Sequence, residues 1–81
     1  SPVIHEIQKI NVSIDEQIQY ILNRVSEKGE IHFLSLVHGM KEKIRIVITF
    51  VALLELTKME KIGIRGSKKF NDFIIYGIAN G

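Results

Sequence analysis

Residues 44–56 read Ile44-Arg45-Ile46-Val47-Ile48-Thr49-Phe50-Val51-Ala52-Leu53-Leu54-Glu55-Leu56. Ten of these thirteen positions are apolar, and only Arg45, Thr49 and Glu55 are polar. No Gly or Pro interrupts the run, which predicts one long helix from Lys41 to about Met59. At about 100° per residue, Arg45, Thr49, Ala52 and Leu56 line one narrow stripe. Val47, Val51, Leu54 and Lys58 lie opposite and are expected to face the core. Ile46, Phe50 and Leu53 occupy one flank, Ile44 and Ile48 the other. A helix that is apolar nearly all round requires cover nearly all round. A chain of 81 residues makes one domain with few elements to supply that cover. One flank is therefore expected to be core and another to dock onto a partner.

Upstream, Ser13-Ile14-Asp15-Glu16 forms a capping box, in which the Ser13 hydroxyl and the Glu16 carboxylate satisfy each other's backbone amides. Ile14, Ile18, Ile21, Leu22 and Val25 then recur on one face, with Gln17, Gln19, Asn23, Arg24 and Glu27 on the other. Gly29 is placed to end this helix with a positive φ. Glu30 to Phe33 reads as a very short strand, and Leu34 to Val37 as a short helix stopped by Gly39. Residues 1–12, with Pro2 and the alternation Ile10, Val12, Ile14, read as an extended lead-in. Downstream, Ile62 to Arg65 is a strand, Gly66-Ser67-Lys68-Lys69 a turn, and Asp72 to Ile78 the last strand. Helices followed by a strand–turn–strand make an α+β winged helix over residues 13–81. It has a helix-turn-helix core and a C-terminal two-stranded β-hairpin wing.

Composition narrows the function. There is no Cys, so disulfide scaffolds and thiolate metal sites are excluded. No apolar run approaches the roughly 20 residues of a membrane span. Net charge is +2, too small to imply a nucleic-acid partner. His5, His32 and His38 share no helical metal-ligand spacing. Ser26, Ser35 and Ser67 lack a nucleophile elbow, and Gly63 to Lys68 lacks the phosphate-loop spacing. Catalysis, metal and cofactor are therefore not expected. The chain opens on Ser-Pro rather than Met, which suggests an excised piece of a longer protein.

A DNA-binding module of a transcriptional regulator is the competing reading. It rests on Lys41, Lys43, Arg45 and the Lys68-Lys69 turn. A reading helix needs side chains that reach base edges, and residues 41–59 contain no Asn or Gln. A self-associating module is a third reading.

Thr49-Phe50-Val51-Ala52-Leu53-Leu54-Glu55-Leu56 resembles the Thr-Phe-Leu-Ala-Leu-Leu-Glu-Leu stretch of the bacterial segregation and condensation protein A (ScpA) family. More widely it resembles the C-terminal winged-helix domain of the kleisins. The pattern continues through Ile62-Gly63-Ile64 and Phe70-Asn71-Asp72 without gaps. It departs at Gly66, Lys69 and Phe73, where the family usually carries Gln, Pro and Ile. The resemblance implies a non-catalytic domain that docks onto the ATPase head of an SMC protein and helps close the SMC ring in chromosome condensation and segregation. It implies a cytoplasmic, nucleoid-associated protein whose full length also binds the accessory protein ScpB. Direct DNA binding is expected to be weak or absent, with no membrane contact. The family's Phe-x-x-x-Leu docking motif lands on Phe50 and Leu54. Together with the flank read above, the expected SMC-head contacts are Ile46, Phe50, Leu53 and Leu54, with Lys68, Lys69 and Phe70 as further contacts on the wing.

Overall fold

The computed structural model describes residues 12–79; the expected lead-in over residues 1–12 lies almost wholly outside them. Six elements follow in order: α1 (Ile14–Lys28), β1 (Glu30–His32), α2 (Phe33–Val37), α3 (Lys43–Lys58), β2 (Ile62–Gly66) and β3 (Phe73–Gly77). The strands form a three-stranded antiparallel sheet in the order β1-β3-β2. The α+β class matches the expectation, and the arrangement is compatible with a winged helix. The sheet is one strand larger than the expected hairpin, because the short β1 pairs with β3 through Ile31↔Ile75.

The helix α1 starts where its capping box places it. Ser13 Oγ accepts from the Glu16 amide at 3.0 Å, and Glu16 Oε1 accepts from the Ser13 amide at 3.4 Å. Gly29 ends it with φ +80, donating its amide to the Val25 carbonyl at 2.7 Å.

The sheet lays one face on the helices. Ile31, Ile75 and Ile62 are buried there and join Ile21 and Val25 of α1, Leu36 of α2, and Ala52, Leu53 and Leu56 of α3. Opposite, Tyr76 lies across Gly63, its direct cross-strand partner. A Cβ on Gly63 would run into the Tyr76 ring, so only Gly leaves that ring its place. The Arg65 guanidinium sits 5.6 Å from the Tyr76 ring centroid and bonds Glu30 Oε1 at 2.8 Å, linking β2 to β1 across β3.

The orientation of α3 is the reverse of that expected. Thr49, Ala52, Leu53 and Leu56 face the core, whereas Val47, Val51 and Leu54 are exposed. Thr49 can be inside because its hydroxyl is fully partnered. It accepts from Gln17 Nε2 at 2.7 Å and donates to the Arg45 carbonyl at 2.7 Å. Gln17 is likewise buried, although its polarity placed it on the outer face of α1. Thr49 meets α1 through Gln17, and the two helices pack closely.

Candidate functional site

The outward face of α3 carries Ile44, Val47, Phe50, Val51 and Leu54, all exposed. Val47 is 47% and Leu54 51% exposed, high values for aliphatic side chains in mid-helix. Steps of three and four residues place them on one face. The same spacing sets Lys43 before Val47 and Lys58 after Leu54, so the stripe carries a lysine at each end. Covering a half-exposed Val or Leu recovers roughly 1 kcal/mol. Five such side chains in a row give a partner a substantial apolar contact, before the costs of association.

The stripe continues onto neighbouring elements through aromatic contacts. The Phe50 ring meets Phe33 of α2 edge-on, with centroids 6.2 Å apart. Phe33 in turn stacks on Phe73 of β3 at 4.7 Å. Leu34, next to Phe33, is exposed as well.

Asp72 holds the start of α2 against β3. Its Oδ1 accepts from the Leu34 amide at 3.0 Å and from the Phe73 amide at 2.9 Å, while Oδ2 pairs with His32 Nδ1 at 3.1 Å. Its side chain is 1% exposed. Burial opposes ionisation, but the two amides and His32 outweigh it and hold the carboxyl below its ordinary value of 3.8. A residue 38 positions away in sequence thus caps α2 and locks the aromatic cluster in place.

The expected contact residues divide. Phe50 and Leu54 are exposed on the α3 face, and Ile46 is half-buried at its edge. Leu53 is 0% exposed in the centre of the core. As an expected contact it is corrected: one position along from Leu54 turns a helical side chain through about 100°. Lys68, Lys69 and Phe70 stand exposed in the loop between β2 and β3. Ile44, Val47 and Val51 were not expected in the stripe. Their signal lay in the large aliphatic residues bracketed by Lys43 and Lys58 at helical spacing.

Across the helix pair, a shallow cleft of about 470 Å³ is lined by Tyr20, His38, Met40, Lys41, Glu42 and Arg45, among others. Among the described residues, every buried side-chain polar atom has a hydrogen-bond partner, so none is aimed unpaired into it. No helix among them is long and apolar enough to cross a membrane.

A family model described as segregation and condensation protein ScpA matches residues 2–78. Segregation and condensation protein A of Halothermothrix orenii is 34% identical over 71 residues, covering 85% of this chain and 29% of that protein. The protein of the same name from Clostridium acetobutylicum is 36% identical over 70 residues, covering 86% of this chain and 26% of that protein. That of Macrococcus caseolyticus is 36% identical over 63 residues, covering 78% and 26%. The chain thus spans between a quarter and a third of the length of these relatives. A match over 77 of its 81 residues shows that the chain belongs to the segregation and condensation protein A family.

Proposed function

We propose that this chain is a non-catalytic docking domain that binds the ATPase head of an SMC protein and acts in chromosome segregation and condensation. The observation that carries the reading is the outward face of α3. Ile44, Val47, Phe50, Val51 and Leu54 form an apolar stripe whose side chains each stay roughly half exposed among the described residues. Stable interfaces are built around such apolar and aromatic anchors. The family relationship supports a partner within the SMC complex, and on this reading ATP chemistry belongs to the head. Direct DNA contact is weak or absent on this reading, since α3 presents apolar side chains where a DNA-reading helix presents polar ones.

Calorimetric titration of this chain into an SMC ATPase head tests the proposal. Val47→Lys and Leu54→Lys place a charge on the stripe without touching the core, so both variants keep the melting temperature and bind much more weakly. No binding by the wild-type chain at tens of micromolar sinks the proposal. Wild-type affinity in both variants moves the docking face elsewhere.

A further inference from the structure

We propose that the β2–β3 loop is a second anchor on the same partner. In this arrangement Phe70 enters an apolar socket whose acidic rim meets Lys68 and Lys69. The inference rests on the reading of α3 as the docking face.

Three observations carry it. Phe70 is 89% exposed, more than any other large apolar side chain described. An aromatic ring so placed has nearly its whole surface available to a partner. Second, the loop is held in shape. Ser67 Oγ accepts from the Lys69 amide at 3.0 Å, Asn71 takes φ 72, and Asp72 is bound to Leu34 and His32. Phe70 is therefore mounted two residues from a fixed point, which lowers the entropy lost when it inserts. Third, the described ion pairs join His32 to Asp72, Arg45 to Glu42 and Arg65 to Glu30, and leave Lys68 and Lys69 free for a partner.

These features point to protein rather than duplex DNA. Phosphate contacts would use the lysines but leave Phe70 in water, whereas an apolar socket with an acidic rim uses all three. The α3 stripe has the same chemistry, apolar along its length with Lys43 and Lys58 at its ends. Phe73, three residues beyond Phe70, joins the loop to that stripe through Phe33 and Phe50. One partner surface, apolar with acidic borders, fits both.

The test measures association and dissociation rates for this chain on an SMC ATPase head, at low and high salt. Phe70→Ala is expected to keep the wild-type melting temperature and weaken binding on the order of 30-fold, the effect of losing an aromatic anchor, mostly through faster dissociation. Lys68→Glu with Lys69→Glu is expected to slow association and reduce its salt dependence. If both loop variants bind as wild type while Leu54→Lys does not, the second anchor is overturned and the α3 docking face stands. If the wild-type chain does not bind the head, the docking reading itself fails. A loss of duplex-DNA binding in the loop variants with head binding intact makes the loop a nucleic-acid contact and also overturns the proposal.

Discussion

Thr49→Val tests the reversed orientation of α3 directly. Val nearly matches Thr in shape, so the change removes a hydroxyl and little else. Thr49 is fully buried, and Gln17 is 5% exposed. The lost hydroxyl accepted from Gln17 Nε2 at 2.7 Å, so the variant leaves a buried amide donor without its acceptor. Such a group costs about 1–3 kcal/mol. Gln17 also borders the cleft beside α1, where water can approach, which favours the lower half of that range. In a domain of this size 1 kcal/mol shifts the melting temperature by about 4–8 °C. Thr49→Val is therefore expected to melt roughly 4–16 °C below wild type.

The pair also predicts an asymmetry. Gln17→Leu leaves the Thr49 hydroxyl able to donate to the Arg45 carbonyl, so it costs less than Thr49→Val. The double variant removes donor and acceptor together and recovers most of the loss. A coupling energy of about 0.5–3 kcal/mol is expected between the two sites. The chain has no Trp, so thermal and urea unfolding are followed by far-ultraviolet circular dichroism. If Thr49→Val is as stable as wild type, or the two single losses simply add, Thr49 does not face Gln17 across the core. Had Thr49 lain on the surface, its replacement would shift stability by no more than about 0.5 kcal/mol.

Three further outcomes follow from the same packing. Leu53→Ala removes a fully buried side chain and is expected to lose about 2–5 kcal/mol, while its neighbour Leu54→Ala stays near wild type; equal losses by urea denaturation would contradict the assigned faces. Gly63→Ala forces the Tyr76 ring aside and weakens its stacking with Arg65, a cost of about 1 kcal/mol that vanishes when Tyr76 is also changed to Ala; a cost that persists in the double variant would place the strain in the backbone. Asp72 has a lowered pKa in the folded chain, so its ionised form stabilises the fold above the ordinary value of 3.8 and that contribution fades as the pH falls through the lowered value. Asp72→Asn should therefore melt below wild type at neutral pH, with the gap closing in acid below about pH 4; a gap that stayed constant to pH 2 would rule out the carboxylate charge as its cause.

Local chemistry was legible in the sequence wherever the partners are near neighbours. The Ser13–Glu16 box, the stop at Gly29 and the polar turn between two β-branched runs each act within a few residues, and the structure contains all of them. Long-range partners were hidden. Asp72 is recognisable as part of an aromatic-x-Asp pattern, but nothing nearby says that it caps a helix 38 residues away. The short strand from Glu30 was legible, but its pairing with β3 through Ile31↔Ile75 is a fact about the fold rather than about those residues. Gln17 and Thr49 were misplaced for the same reason. Each looks solvent-facing alone, and each becomes a core residue only because the other lies 32 positions away.

The same pairing hides the proposed docking face of α3 from the sequence. Polarity contrast usually tells the inside of a helix from the outside. Here both sides are apolar, and the one polar residue in mid-helix faces inward. Tertiary partners decide it instead. Thr49 meets Gln17 of α1 inside, beside the buried Ala52, Leu53 and Leu56, whereas Val47, Phe50, Val51 and Leu54 face away. A helix that holds bulky apolar side chains in water as well as in its core gains little from the exposed ones as an isolated domain. The bulky face becomes favourable only when another surface covers it. On the proposed docking reading, the lysines that bracket it supply the charge that an acidic-rimmed partner would meet. The apolar character on both sides of α3, which hides inside from outside in the sequence, is thus the same feature on which the proposed docking role of α3 rests.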